Sequence, residues 1–357
     1  MSKLLEKYFF LVKNFFPEKS RRPAIGLDIG SRSCKLVEAV PGDNGCEVLN
    51  WAIESYGEGS PVEVIRKLLA KFEADQKNVY TAISGQGTLI RYLTIPRMPL
   101  EDFKKSFSLE VDKYFPFPKD SIYTDCFILD PGGKESKMSV LIAAARKEMV
   151  DQRIQLLSSL SVPANFIGLT AIALVNTFRA LRPRKPSANS IPDVSLEAAA
   201  ILDMGDLNSG ILILRDNLPR FTRSISLGGR ELNKRVSNAL GIPIEEAEKI
   251  KTHPQEQFQN IMNACEPVLM NLISEIRLSL DYFVTENNMT ISRLYLTGGS
   301  AEFQGMDKFL SDNLEMPVEL WNPMGALKLA PSVSPEELQK NIHKLTVALG
   351  LSLQNND

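Results

Sequence analysis

The stretch AIGLDIGSRSCKLV, residues 24–37, decides how this chain is read. An apolar run ends in Asp28-Ile29-Gly30, and a second apolar stretch follows it. The device returns in AAAILDMGDLNSGILIL, residues 198–214, around Asp203-Met204-Gly205. A third apolar run, Leu294-Tyr295-Leu296-Thr297, ends in Gly298-Gly299. Each reads as a buried strand opening into a tight turn. In the first two an Asp stands at the strand end, and a Gly lets the backbone come close to something. One Asp-x-Gly turn says little, because hairpin turns use Asp and Gly for backbone reasons alone. Two copies, with a glycine pair after a later strand, say much more. Two such hairpins facing each other hold a triphosphate and its metal. The turn amides bind phosphate oxygens, and the Asp pair binds Mg²⁺ through water.

The 357 residues suffice for two or three domains and a large core. Apolar content of 44% and charged content of 24% are those of an ordinary globular protein. A net charge of −2 argues against a nucleic-acid binder, which shows a basic excess. Cys34, Cys46, Cys126 and Cys265 are far apart and read as reduced, structural thiols of a cytosolic protein. His253 and His343 have no second ligand at metal spacing and read as polar helix residues. No apolar run reaches the ~18–20 residues that a membrane span needs. Residues 4–16, LLEKYFFLVKNFF, form an amphipathic pattern with Leu5, Phe9, Val12 and Phe16 on one face. With Lys19, Arg21 and Arg22 behind it, such a helix suits a membrane surface, and equally its own protein or a partner. It lacks a cleavage site and does not read as a signal peptide.

Strands are predicted over 24–30, 34–41, 46–54 and 79–84, with a helix over 62–74 opened by Ser60-Pro61. Residues 88–150 read as an inserted subdomain: strands at 89–95, 122–129 and 138–145, helices at 100–115 and 146–160, and a Pro-Gly-Gly turn at 131–133. A helix over 169–180 leads to LRPRKPSANSIPDVS, residues 181–195, a linker by composition. Strands at 198–204, 209–215 and 219–226 then begin a second half. Gly228-Gly229 opens a helix through Leu240, helices follow at 244–251 and 255–286, then a strand at 293–297, a helix after Gly305, a strand at 317–321 and a helix at 335–351. Both halves begin strand, Asp-x-Gly, strand, which fits an old duplication.

The order of these motifs resembles that of the actin/Hsp70/FtsA nucleotide-binding superfamily: phosphate 1, phosphate 2, adenosine. Within it, ArgMetProLeu (97–100), GluValAspLysTyrPheProPhePro (110–118) and AlaAlaAlaArgLysGlu (143–148) resemble the PilM family of type IV pilus assembly proteins. The resemblance implies an α/β, actin-like (ribonuclease H-like) two-lobed fold with duplicated mixed sheets and an FtsA-like inserted subdomain. Its expected division is an N-terminal amphipathic helix over 1–22, a first lobe (subdomain 1A) over 23–87 and 161–181, and the insert (1C) over 88–160. A linker loop over 182–196 and a second lobe (2A/2B) over 197–357 complete it.

The resemblance also assigns roles. Asp28 and Asp203 go to the metal, and ATP with Mg²⁺ is the implied ligand. Gly30, Ser31, Ser33 and Lys35 go to phosphate 1, although Lys35 also reads as a solvated strand residue. Gly205, Asn208 and Ser209 go to phosphate 2, with Asp206 an unfavourable charge there unless it points to solvent. Gly228, Gly229, Gly298 and Gly299, with Glu248 and Lys251 of the Ala247-Glu248-x-x-Lys251 helix, go to the nucleoside. Glu248 and Lys251 alone also read as a surface ion pair. In that family the groove beside the insert binds the cytoplasmic tail of the membrane protein PilN. Tyr114, Phe115 and Phe117 are the residues expected there, each also readable as core. The chain would act as a cytoplasmic scaffold at the inner face of the inner membrane, with self-association open. A filament former like FtsA, or a metabolite kinase, are the alternatives.

One departure bears on chemistry. Residues 165–174 read AsnPheIleGlyLeuThrAlaIleAlaLeu, and Gly168 stands where the family carries Asp. Glycine cannot orient water, Thr170 is a poor base, and no acidic residue lies between Arg153 and Asp193. Phosphoryl transfer depends on positioning, so slow or absent hydrolysis is expected.

Overall fold

The computed structural model describes residues 22–42, 45–57, 59–73, 78–130, 136–162, 164–181 and 197–354. The helix expected within 1–22, the turn at 131–133 and the linker at 182–196 lie outside the described residues, Arg22 excepted. The strands are β1 (Ala24–Ile29), β2 (Ser33–Gly42), β3 (Gly45–Ser55), β4 (Asn78–Ile83), β5 (Thr88–Pro96), β6 (Ile122–Ile128) and β7 (Lys137–Arg146). There follow β8 (Ala164–Leu169), β9 (Glu197–Met204), β10 (Ser209–Arg215), β11 (Leu218–Ile225), β12 (Thr290–Thr297), β13 (Val318–Leu320) and β14 (Leu327–Leu329). The helices are α1 (Pro61–Lys71), α2 (Leu100–Leu109), α3 (Val111–Tyr114), α4 (Lys147–Ser159) and α5 (Thr170–Ala180). After them come α6 (Gly229–Leu240), α7 (Ile244–Thr252), α8 (Phe258–Asn287), α9 (Met306–Leu314) and α10 (Pro335–Ser352).

These elements form two compact units. The first takes the chain up to Pro183, then Pro323–Lys340 and the residues from Leu345 onward. The second runs to Asn322 and includes Asn341–Lys344. The second half read from sequence, 197–357, therefore differs from the observed division. The reason is pairing: β14 adds in parallel to β3, and α10 lies against β1, its Ala348 carbonyl at the α-carbon of Gly26.

The sheet of the first unit has the order β14-β3-β2-β1-β4-β8, and that of the second β11-β10-β9-β12-β13. Omitting β14, the two orders correspond strand for strand. In each, the Asp-bearing strand is central, antiparallel to the next strand and parallel to a later one. Central position explains the nearly unbroken apolar runs, since such strands are covered on both faces. α1 buries Ile65, Leu68 and Leu69 at helical spacing and makes the crossover from β3 to β4. In the second unit α8 makes the corresponding crossover and buries a stripe from Ile261 to Phe283.

The insert is a separate antiparallel sheet, β5-β7-β6. Phe103, Phe107, Val111 and Phe115 pack on it with Ile122, Cys126, Val140 and Ile142. The helix expected over 100–115 is broken at Glu110 into α2 and α3, and Phe115 is extended before Pro116. Strand β8, which the sequence reading did not find, pairs in parallel with β4 and places Gly168 opposite Ala82. α10 begins with Pro335 at its first turn and a Ser334 side chain that accepts from the Glu337 amide.

Candidate functional site

The two Asp-x-Gly turns are built alike. In the first unit the Gly30 amide donates to the Ser33 carbonyl at 3.0 Å, and in the second the Gly205 amide donates to the Asn208 carbonyl at 3.1 Å. The Asp of each stands near the carboxyl end of its central strand. Their cross-strand partners differ: Asp28 faces Lys35, and Asp203 faces Gly210.

In the first turn Lys35 Nζ lies 2.8 Å from Asp28 Oδ2, so the two residues assigned to phosphate and metal form an ion pair. Tyr56 donates its hydroxyl to the Gly30 carbonyl at 3.2 Å, which holds the turn from beneath. Ser31 is exposed and Ser33 half-buried. The sequence reading missed Arg153 of α4. Its Nη1 donates to Thr81 Oγ1 at 2.7 Å and to the Ala82 carbonyl at 2.8 Å, on the strand beside Asp28. No local motif marks it, because it comes from the far side of the insert.

In the second unit three glycine segments meet. The Gly205 carbonyl accepts from the Gly229 amide at 2.9 Å and from Ser300 Oγ at 3.0 Å. The Arg230 amide donates to the Asp206 carbonyl at 2.8 Å. A Cβ on Gly229 would lie 2.0 Å from Ser300 Oγ, one on Gly228 2.5 Å from the Asp206 carbonyl oxygen, and one on Gly298 2.5 Å from Asp203 Oδ1. Gly298 also sits at φ +90, where a side chain is strained. These glycines let the turn, the start of α6 and the end of β12 touch. A Cβ on Gly299 would meet nothing within 4 Å, so its backbone faces open space.

Behind this junction, Lys251 has no solvent exposure. Its Nζ donates to Asn233 Oδ1 at 2.9 Å and to Glu248 Oε2 at 3.2 Å, and Asn233 Nδ2 donates to the same Glu248 oxygen at 2.5 Å. Glu248 and Lys251 are thus not a surface ion pair but a charged cluster between α6 and α7.

Two expectations for this turn change. Ser209 is buried, and its hydroxyl donates to the Leu227 carbonyl at 2.7 Å. It ties β10 to the entry of α6 and is not a phosphate donor here. Asp206 neither points to solvent nor stands as a bare negative charge: Arg230 Nη2 lies 2.7 Å from its Oδ2.

After β12, the Gly298 amide and Thr297 hydroxyl donate to the His343 carbonyl at 2.9 and 2.6 Å. Glu302 Oε1 lies 3.2 Å from His343 Nε2 and 2.7 Å from Lys344 Nζ. Burial opposes the charge of Glu302, but hydrogen bonds from His343 and Lys344 outweigh it and hold the carboxyl below its usual range. A depressed folded value means stability present above the unfolded value and lost as pH falls through the folded one. Glu302→Gln should therefore cost about 1–2 kcal/mol at neutral pH. That difference should persist down to the ordinary carboxylate value of 4.5 and fade below it. Urea unfolding at several pH values reads this out; a pH-independent difference would show that the charge is not involved.

The aromatic residues of the insert separate. Phe115 is buried in its core, the second of its two readings, with its ring 6.2 Å from that of Phe107. Tyr114 and Phe117 lie half-buried at the rim, with the Arg146 guanidinium 5.1 Å from the Phe117 ring centre. Leu109, which the sequence reading passed over, is 78% exposed at the end of α2. Burial pushes the Cys34, Cys46 and Cys126 thiols up to about 12 and Cys265 to about 11, which makes them inert. No helix among the described residues is long and apolar enough to cross a membrane.

A family model described as type IV pilus assembly protein PilM matches residues 26–356. A solved PilM-PilN type IV pilus biogenesis complex is similar at TM-score 0.78 and 25% identity, covering 94% of this chain and 98% of that one. The ethanolamine utilization protein EutJ from Carboxydothermus hydrogenoformans is similar at TM-score 0.53 and 16% identity, over 96% of this chain and 92% of that one. At that identity the second likeness speaks for the fold alone.

Proposed function

The chain belongs to the type IV pilus assembly protein PilM family and has its actin-like α/β fold, and from that premise we propose that it is a nucleotide-binding scaffold of a pilus-type machine. It docks the tail of a PilN-like inner-membrane protein at the inner face of the inner membrane. The observation that carries this is the match to the family over nearly its whole length, with a PilM-PilN complex as a close relative in structure. On this reading the exposed Leu109 and the half-buried Tyr114 and Phe117 of the insert contribute to the docking surface. Residues 4–16 add a peripheral membrane contact.

The residues present fit a nucleotide. Gly228, Gly229 and Gly298 let the second turn, the start of α6 and the end of β12 pack together, and Gly299 leaves backbone open beside them. ATP with Mg²⁺, when bound, supplies the charge that the carboxylates of Asp28 and Asp203 and the ammonium of Lys35 answer. Ser31 and Ser33 of the first turn, and Asn208 of the second, offer phosphate donors, while the Gly30 and Gly205 amides close the two turns. Glu248 and Lys251 serve the nucleoside end.

Turnover is slow or absent on the same reading. Gly168 lies inside β8, and a Cβ there would come 2.5 Å from the Phe166 ring. The Thr170 hydroxyl faces the Ile83 carbonyl at 3.5 Å. Neither can act as a base on water.

Calorimetric titration with ATP and Mg²⁺, beside the double variant Asp28→Ala/Asp203→Ala and a phosphate-release assay, tests the reading. Binding that the double variant loses, without phosphate release, and capture of a PilN cytoplasmic tail peptide are expected. Hydrolysis at the rate of metabolic kinases would instead favour an enzyme. Absence of peptide capture with and without ATP would remove the scaffold role.

A further inference from the structure

We propose that Arg153 is a positioning residue for the first turn, a fixed cation that keeps it receptive to the polyphosphate of a nucleotide. The inference rests on the nucleotide reading above and assigns that reading a residue outside the motifs that carry it.

The placement is geometric. β7 runs into α4 with no intervening loop, and α4 brings Arg153 to the carboxyl ends of β1 and β4. Its Nη1 donates to Thr81 Oγ1 at 2.7 Å and to the Ala82 carbonyl at 2.8 Å. Thr81, with no exposure, passes its own hydroxyl to the Leu27 carbonyl at 2.8 Å. Leu27 is the cross-strand partner of Thr81 and precedes Asp28. In open α/β sheets, ligands bind outside the carboxyl ends of the strands.

The charges point to an anion. Desolvation lowers the Arg153 pKa, opposed by the field of Asp28 and by Tyr56 and Cys34 nearby. Burial raises the pKa of both Tyr56 and Cys34, so neither supplies a negative charge near neutrality. Among the described residues, Asp28 is the carboxylate whose field reaches Arg153, and Asp28 also pairs with Lys35 at 2.8 Å. Among the described residues two cations, Lys35 and Arg153, lie within the field of Asp28, and holding a buried guanidinium is costly. A polyanionic ligand answers both. Lys35, on a flexible stem, is then free to turn from Asp28 towards phosphate. The planar guanidinium, held by its two acceptors, stays as the counter-charge of Asp28.

The test is calorimetric titration of the full chain and of Arg153→Met and Arg153→Lys, each with ATP and Mg²⁺ and with adenosine, at two salt concentrations. Loss of a charge-assisted contact predicts ATP binding weaker by about 10–100-fold in Arg153→Met. Adenosine binding should change less than about 2-fold, and the salt dependence of ATP binding should become shallower. Arg153→Lys, which keeps the charge, should recover most of the loss. If the methionine variant does not fold, Arg153→Gln, which retains an amide donor without charge, takes its place. Wild-type ATP affinity in the uncharged variant overturns the inference and leaves the nucleotide reading standing. So does a parallel loss for ATP and adenosine, the mark of a merely structural role. Wild-type protein that takes up no ATP removes both together.

Discussion

Gly26→Ala is expected to destabilise the first unit by about 4 kcal/mol, at the upper end of what overpacking costs. Gly26 lies in central strand β1, and a Cβ there would stand 1.8 Å from the Ala348 carbonyl oxygen and 2.7 Å from the Ser352 amide. Both are backbone atoms of α10, so no rotamer change relieves the clash. The helix cannot simply step back either, because its other side is equally close. A Cβ on Gly350 would lie 1.8 Å from the Ala173 carbonyl of α5. Thr177 Oγ1 donates to the Thr346 carbonyl at 2.6 Å, and Asn176 Nδ2 donates to Gln354 Oε1 at 2.8 Å, which pins the same helix pair. Urea unfolding with linear extrapolation measures the loss. Gly325→Ala, where a Cβ meets nothing within 4 Å, is the control and should stay within about 0.5 kcal/mol of wild type. A loss at Gly26 no larger than that of the control would mean that α10 shifts freely on the sheet.

Lys251→Met should cost the second unit about 2–3 kcal/mol and weaken ATP binding by at least about tenfold. The ammonium is fully buried and bridges Asn233 and Glu248. Its removal leaves the Asn233 carbonyl oxygen, on a residue with no exposure, without its donor. Glu248 keeps 31% side-chain exposure, so water relieves part of its charge and the cost falls below that of a wholly buried broken pair. Unfolding and titration on the same preparation separate the two effects. Stability lost with ATP affinity intact would make the cluster a strut between α6 and α7 and nothing more.

Much of the architecture was legible because its signals are local. Apolar runs ending in Asp-x-Gly mark the central strands and their turns, and both turns close with the same amide-to-carbonyl bond. The insert announced itself through alternating strands, and α1, α6 and α10 through proline, glycine or serine at their starts. β8 escaped because six residues after Pro163 have no pattern of their own; their strand character comes from pairing with β4. β14 is three residues long and exists through its pairing with β3.

The candidate site divides along the same line. The residue types and their order, Asp28 with Gly30, Asp203 with Gly205, then the glycine pairs and Lys251, were set by the sequence, since turn geometry and close approach demand those side chains. Which hydroxyls remain available, and which charges answer one another, was decided by tertiary structure. Ser209 turns to Leu227, Asp206 to Arg230, Phe115 into the core, and Arg153 arrives at β4, the strand beside Asp28, from the helix that follows the insert. Hydrogen-bond partners and charge balance depend on neighbours far away in the chain, and no spacing in the sequence encodes them.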